Sequence, residues 1–371
     1  MSMNSPTIED AQPNPRTTSP AAPDEALLHE MAGRLVGDLG AAVSGALVVL
    51  GDRLGLYAAL ARTGPVTSDG LAHETHLDER YLREWLANQA ASGYVTYEPS
   101  SATFSMTPEQ QALLADPDSP VAMTGGFYSI ASVYQDEPRI AEVFKTGGGL
   151  AWGDHSDCLF CGTAKFFRPG YAAHLAQEWI PALAGMQGRL MAGARVADVG
   201  CGYGASTLIM AKAFPKSTFT GFDLHPASIA HARKHAEEEG LTNVTFEVAA
   251  AKEFAGQDYD LITTFDALHD MGDPVGVASY VRQCLRPDGS WMVVEPFAGD
   301  RLEDNLNPVG RVYYGFSTMV CTPASRSQEV GLALGAQAGE GRLRDVMMEA
   351  GFTRFRRAAE TPFNLILEAT P

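Results

Sequence analysis

Arg195-Val-Ala-Asp-Val-Gly-Cys-Gly-Tyr-Gly-Ala205 is the stretch on which the fold turns. Its first half is an apolar run of strand length, and its second half places glycines at 200, 202 and 204. There the backbone can bend sharply and a ligand can approach the main chain. A helix is expected over residues 205–214, and the open amides at its start favour a negative group. Strand, tight turn and helix predict the first βα unit of a parallel sheet.

The pattern repeats outward from this unit. Strands are expected at 218–222, ending in Asp223, and at 244–248, 259–265 and 290–295. Helices are expected at 226–239 and 274–284, and the turn Arg286-Pro-Asp-Gly289 precedes the fifth strand. A helix at 343–350 and a hairpin made by 352–359 and 363–369 close the chain. Alternating β and α segments predict a doubly wound sheet with helices on both faces. Its ligand site lies beyond the carboxyl ends of the strands. Asp223, 25 residues after Asp198, is placed to accept hydrogen bonds from a ribose diol. Gly200, Gly202 and Ala205 also satisfy a loose dinucleotide pattern, so the turn alone does not separate a nicotinamide site from an adenosyl-sulfonium site.

Residues 25–116 read differently. Leu27, Leu28, Met31, Leu35 and Leu39 recur at helical spacing, and Val43, Leu47 and Leu50 continue it. A second helix is expected at 52–61. Thr67-Ser68-Asp69 and Asp78 offer N-caps for two more, and 94–97 with 103–106 alternate as a hairpin. This order predicts a winged helix-turn-helix. The segment holds five basic and twelve acidic residues, a net −7, and its recognition helix sets Arg80 and Arg83 against Glu79 and Glu84. Phosphate neutralisation supplies most non-specific DNA affinity, so dimerisation and substrate covering are the expected roles.

The whole chain supports that choice. It has 371 residues, 27 basic and 45 acidic, a net charge of −18, with 45% hydrophobic residues and a mean hydropathy of −0.09. Nucleic acid and anionic membranes are poor partners for such a charge. Apolar runs such as Ala46 to Leu50 fall short of a membrane span, and no secretory signal pattern opens the chain. Five cysteines, an odd number, fit a reducing cytoplasm. Residues 1–24, rich in Pro, Ser and Thr, are expected to be a disordered tail. Residues 117–193, aromatic and Gly-rich, are expected to bridge the two domains and roof a pocket, with helical patches at 138–144 and 171–183.

Asp198-Val-Gly-Cys-Gly-Tyr-Gly204, Val244-Thr-Phe-Glu-Val248, Tyr259-Asp-Leu-Ile262 and Leu285-Arg-Pro-Asp-Gly-Ser-Trp-Met-Val-Val-Glu295 follow in order. As a set they resemble the class I S-adenosylmethionine-dependent methyltransferases over residues 190–371. With the acidic winged helix in front, the chain is similar to small-molecule methyltransferases that carry such a dimerisation domain. The resemblance implies a Rossmann-like sheet with an antiparallel last strand over residues 194–371, a homodimer, and S-adenosylmethionine as cofactor. It implies that Asp198 orders the methionine amino end, with Gly200, Gly202 and Gly204 against it. Asp223 would bind the ribose hydroxyls and Leu224 would lie beside the sugar or adenine. Ala250, Ala251 and Lys252 would flank the adenine, although many relatives have an Asp near position 250. Thr264 and Phe265 would close the methionine side.

Asp266-Ala-Leu-His269-Asp270 holds the candidate for acid–base work. Some small-molecule O-methyltransferases of this build use a His at the matching place, so His269 is the expected base and Asp270 its orienting carboxylate. Glu295 is read as touching substrate or capping the sheet. The insertion at 296–341 lacks periodicity and clusters Tyr313, Tyr314 and Phe316, read with Trp152, His155, Arg168 and Tyr171 as acceptor-side residues. His155, Cys158 and Cys161 have plausible zinc spacing but no second pair, so no metal is expected. The expected activity is methyl transfer to a small organic molecule, O-transfer first, with N-, C- and S-transfer open. The competing reading is a cofactor-sensing regulator that binds DNA through its winged helix.

Overall fold

The computed structural model describes residues 22–371. The expected tail therefore lies outside the described residues, apart from the irregular residues 22–24. The chain divides into two compact units, one ending at Val43 and the other running from Ser44 to Pro371.

The first unit contributes the start of α1 (Glu25–Arg53). Leu28, Met31, Leu35 and Leu39 stand 53–68% exposed along it. By length and composition α1 is apolar enough to cross a membrane. Gly and Ala between its Leu and Val residues give the helix that composition without a long apolar run, and core helices and signal sequences share it.

The second unit opens with the winged helix. It comprises α2 (Leu56–Thr63), α3 (Ser68–Thr75), α4 (Glu79–Ala91), β1 (Thr96–Glu98), β2 (Thr103–Ser105) and α5 (Pro108–Leu114). Thr67 caps α3 by accepting from the Gly70 amide, and Asp78 caps α4 by accepting from the Arg80 and Tyr81 amides. Leu82, Trp85, Leu86 and Gln89 line the buried face of α4 at helical spacing. The hairpin starts two residues later than expected, because the Tyr94 and Val95 amides donate to Gln89 O at the end of α4. Val66 adds a bridge to Phe104, completing the wing.

Two long helices follow, α6 (Thr124–Thr146) and α7 (Asp157–His174), then α8 (Ile180–Ala182) and α9 (Met186–Ala192). Only their ends were expected. Pro138 was read as a helix start but lies inside α6, where its missing N–H leaves the carbonyl of solvent-exposed Tyr134 without a helical donor. The two helices touch backbone to backbone. A Cβ at Gly162 would lie 2.6 Å from Ser129 N, and one at Gly125 would overlap the Phe166 backbone.

The sheet contains β3 (Arg195–Val199), β4 (Thr218–Asp223), β5 (Val244–Val248), β6 (Tyr259–Phe265), β7 (Leu285–Pro296), β8 (Arg354–Glu360) and β9 (Asn364–Thr370). Their order is β5-β4-β3-β6-β7-β9-β8, parallel through β7 and antiparallel at β9 and β8. Helices α10 (Ala205–Ala213), α11 (Pro226–Glu238) and α12 (Pro274–Cys284) make the expected crossovers. The insertion is not structureless. It forms α13 (Pro308–Phe316) and α14 (Thr322–Arg326) before α15 (Gly339–Glu349). The Arg286-Pro-Asp-Gly289 turn is absorbed into β7, since Tyr259 pairs with Leu285 and Leu261 with Ser290. Strand alternation sends Val196, Met292 and Val294 to one core face, and Ala197, Trp291 and Val293 to the other. Each large apolar side chain fully buried in these cores contributes about 1.5–3 kcal/mol.

Candidate active site

The glycine turn sits beyond the carboxyl end of β3. Gly200, Gly202 and Gly204 take φ of 77°, 52° and 80°, a left-handed backbone that suits glycine. The Gly200 and Cys201 amides donate to Phe222 O at 2.8 and 3.0 Å. Asp223 braces the turn from β4: its Oδ2 accepts from the Gly202 amide and its Oδ1 from the His225 amide, each at 2.8 Å. Burial pushes its carboxyl up, against the two amides that favour the anion. Each oxygen keeps a further lone pair for a hydroxyl donor. A Cβ placed on Gly202 would meet nothing within 4 Å, so the turn presents bare backbone to open space. These features fit a nucleoside lying along the turn with its diol on Asp223.

A cavity of about 360 Å³ runs past this turn. Leu224, Ala250, Ala251 and Lys252 line the end nearest Asp223, where Lys252 Nζ is paired with Asp273 at 2.8 Å. Phe265 and Asp266, at the end of β6, line it as well. Trp152, Phe160, Phe167 and Tyr171 form the aromatic roof, and Gln328 and Glu329 are what the insertion contributes. The roof stacks internally, with Phe167 and Tyr171 ring centroids 5.8 Å apart at 11°.

Several expected residues lie elsewhere. Asp198 is fully buried and not on the cavity wall. Its Oδ2 accepts from the Ser206 and Thr207 hydroxyls at 2.7 and 2.6 Å, and its Oδ1 from Thr263 at 2.9 Å. It thus ties the start of α10 to β3 and β6. Burial pushes its carboxyl up while the three hydroxyls pull it down. Thr264 is also corrected: it is fully buried, accepts from Trp291 Nε1 at 3.0 Å, and lies off the cavity wall that its neighbour Phe265 lines.

His269 is 3% exposed and does not line the cavity. Its Nδ1 is 2.6 Å from Glu295 Oε2, and its Nε2 is 3.3 Å from Asp270 Oδ1. Glu295, at the end of β7, is therefore the closer carboxylate, and its Oε1 also accepts from the Leu268 amide at 3.0 Å. Burial alone would depress the imidazole, but Glu295 and Asp270 together push it well above its ordinary range. Both ring nitrogens face carboxylates, which is the arrangement of an enclosed imidazolium. The Cys321 thiol sits in the same cluster, pushed up to about 12 chiefly by burial. Among the described residues, His269, Asp270 and Cys321 are the one group whose ligand-type atoms lie within 4.8 Å of one another. Glu295 joins this cluster through its contact with His269.

The acceptor-side expectations divide. Trp152 and Tyr171 line the cavity. His155 lies behind the roof, 5% exposed, with Nδ1 2.7 Å from Asp136 Oδ2. Cys158 is half-buried and Cys161 exposed, where its thiol turns back to Cys158 O, so the three do not converge. Arg168 pairs with Asp118 at 3.2 Å on the surface. Tyr313 is buried and donates to Phe363 O at 2.7 Å, while Tyr314 and Phe316 are half-buried and off the cavity wall. The helical periodicity of α13 points this aromatic cluster elsewhere.

Sequence reading assigned no role to Asp266, Phe160 or Asn364, whereas Phe167 belongs to the aromatic segment expected to roof the pocket. Asp266 directly follows β6, so the strand-end rule already marked its position. Its Oδ2 accepts from Tyr171 OH at 2.7 Å and its Oδ1 from Asn364 Nδ2 at 2.9 Å.

Comparison with known proteins agrees with this geometry. Residues 190–332 match the methyltransferase domain family, and residues 41–116 match the Rv2258c-like winged HTH domain family. The ubiquinone biosynthesis O-methyltransferase of Aromatoleum aromaticum is 34% identical over 131 residues, covering 34% of this chain and 53% of that enzyme. This chain thus spans about half the length of such curated relatives. Among solved structures, the mitomycin 7-O-methyltransferase MmcR superposes with a TM-score of 0.67 at 19% identity, covering 93% of this chain and 100% of that one. Human N-acetylserotonin methyltransferase in complex with S-adenosylmethionine gives 0.66 at 17%, covering 95% and 99%. The fold is that of the Rossmann-like methyltransferases. A segment matching the winged HTH family precedes the segment matching the methyltransferase domain.

Proposed function

We propose that this protein moves the methyl group of S-adenosylmethionine to a small organic acceptor, with oxygen as the first choice of atom. The observation that carries the reading is the single cavity that joins the Asp223-braced glycine turn to the aromatic roof. Asp223 takes the ribose hydroxyls on its free lone pairs. Leu224, Ala250 and Ala251 supply an apolar bed for adenine, with Lys252 held back by Asp273. When bound, the cofactor supplies an electrophilic methyl group on a sulfonium. Trp152, Phe160, Phe167 and Tyr171 align a flat acceptor above it and exclude water, and in-line displacement gains most from alignment. His269, enclosed by Glu295 and Asp270, holds the strand ends of β6 and β7 together rather than meeting the acceptor. A homodimer formed through the exposed apolar stripe of α1, working in the cytoplasm, completes the proposal.

Incubation with methyl-labelled S-adenosylmethionine and a panel of phenols, catechols and amines tests it. Label transfer to a phenolic oxygen is expected. No transfer to any acceptor, together with no binding of the cofactor by calorimetry, would sink it.

A DNA-binding regulator is the second reading, favoured by the winged helix alone. Arg80 and Arg83 are already engaged by Glu84 and Glu79 at 2.5 and 2.7 Å, leaving the recognition helix without free cations at those positions. A salt-dependent DNA mobility shift by the purified protein would revive it.

A further inference from the structure

The sheet order sets three neighbouring strand ends against the cavity. Asp223 follows β4, the glycine turn follows β3, and Asp266 follows β6. With the diol end at Asp223, the thioether end of a nucleoside lying along the turn reaches the β6 side. Asp266 is next to Ala267, whose methyl packs so close to the turn that a Cβ on Gly200 would lie 2.9 Å from it. Asp266 itself holds a left-handed backbone at φ 48°, pinned by its amide donating to Val294 O at 2.8 Å. Such a backbone is costly for a residue with a side chain and persists where surrounding contacts over-determine it. Those contacts are the Tyr171 hydroxyl and the Asn364 amide, one on each carboxylate oxygen, and both are neutral. A buried carboxylate on a cavity wall, hydrogen-bonded only to neutral donors, gains from a positive partner placed beside it.

The geometry points to Asp266 as the counter-ion of the cofactor's sulfonium, and as the group that takes up the acceptor's proton once that charge is gone. The inference rests on the cavity being an S-adenosylmethionine site. In the transfer, the acceptor's lone pair forms the new bond to the methyl carbon. The carbon–sulfur bond breaks with its pair left on sulfur, and the acceptor's proton passes to Asp266. The carboxylate thus exchanges one positive partner for another, a sulfonium before and a proton after.

Other groups face Asp266 from each neighbouring element. Tyr171 comes from α7, Asn364 from β9, Glu295 from β7, Tyr313 from α13, and His269 and Asp270 from the segment after β6. Burial pushes the Asp266 carboxyl up to about 7; Glu295 and Asp270 add to the rise, while Tyr171 and His269 oppose it. With no cation against it, the Asp266 carboxyl therefore titrates near neutrality. Below that point Asp266 is protonated and must release a proton to receive a sulfonium. A neutral thioether makes no such demand.

Calorimetry on the full chain, with S-adenosylmethionine and S-adenosylhomocysteine as the two ligands, tests this without any acceptor. Titrations in buffers of different ionisation enthalpy count the protons moved. The expected result is proton release with the sulfonium ligand below neutrality and none with the thioether. Affinity for the sulfonium alone should rise as pH passes through about 7. Asp266→Asn should weaken the sulfonium ligand by about 10–100-fold, leave the thioether within about twofold, and abolish proton release. Asn364→Leu, off the cavity wall, removes a donor to the carboxylate and should move the proton-release midpoint to higher pH. Equal proton counts for the two ligands in the wild type overturn the inference, and do so even where Asp266→Asn fails to fold. An unchanged affinity ratio in Asp266→Asn overturns it as well. Binding of neither ligand overturns the cavity reading with it, whereas equal treatment of two ligands that do bind overturns this inference alone.

Discussion

The cavity has two walls made by different means. The strand-end wall, from Asp223 past the glycine turn to Asp266, is held by buried polar contacts between consecutive strand termini. The helical wall, from Trp152 to Tyr171, is held by aromatic packing and by a close crossing of α6 on α7. In the first wall a residue's place follows from its position in the chain, because parallel strands end at the same edge. In the second, a residue's place depends on which face of a long helix meets the sheet. The first wall is therefore expected to set cofactor affinity, and the second to set acceptor choice.

Removing the imidazole beneath the strand-end wall should have the largest effect. His269→Ala leaves Glu295 and Asp270 buried without their shared partner and should cost about 3–5 kcal/mol, read by denaturant unfolding. The pH dependence has a defined sign. The folded imidazole titrates above its unfolded value, so its contribution is complete below about pH 6.5 and is lost as pH rises through the raised value. A wild-type stability that falls with pH in that window, and a flatter profile in His269→Ala, would sharpen the comparison. Turnover that is lost while stability is intact would break it, by returning His269 to the chemistry.

Asp223→Ala comes next. Loss of a charge-assisted contact should weaken S-adenosylmethionine binding by about 1.5–3 kcal/mol, roughly 10–100-fold by calorimetry. Identical affinity would show that this wall does not bind the nucleoside. Gly125→Ala acts on the other wall. Its Cβ would overlap the Phe166 backbone, forcing α6 and α7 apart at a cost of about 1–3 kcal/mol. Cofactor affinity should change little while the range of accepted acceptors shifts; the reverse pattern would dissolve the division between the walls. The smallest effect belongs to Arg168→Ala. Its exposed pair with Asp118 is worth about 0–1 kcal/mol, and thermal melting should barely move.

The strand-end wall was largely legible. Residues 244–248, 259–265 and 274–284 form elements with the expected bounds, and Leu224, Ala250, Ala251, Lys252 and Phe265, singled out from the sequence, line one cavity. Asp198 and Thr264 were misplaced because a strand presents alternate residues to opposite faces, and a motif does not say which face holds the ligand. Tyr313, Tyr314 and Phe316 failed for the helical version of the same reason: their spacing marks them as neighbours but not what they neighbour. The α6–α7 crossing was not legible at all, since the close approach of another backbone to Gly125 and Gly162 leaves no mark on their neighbours along the chain.

By itself the sequence determined the alternation of strands and helices, the glycine turn, the acid that ends the next strand, and the acidic winged helix. These depend on local propensity and on spacing along the chain. Only the tertiary structure decided that Glu295 rather than Asp270 is the closer partner of His269, and that Asp266 meets Tyr171 and Asn364 across gaps of 95 and 98 residues. Such pairings bring together side chains whose separation in sequence carries no periodic signal. They are selected by the burial of charge, which acts on distance in space and is blind to distance along the chain.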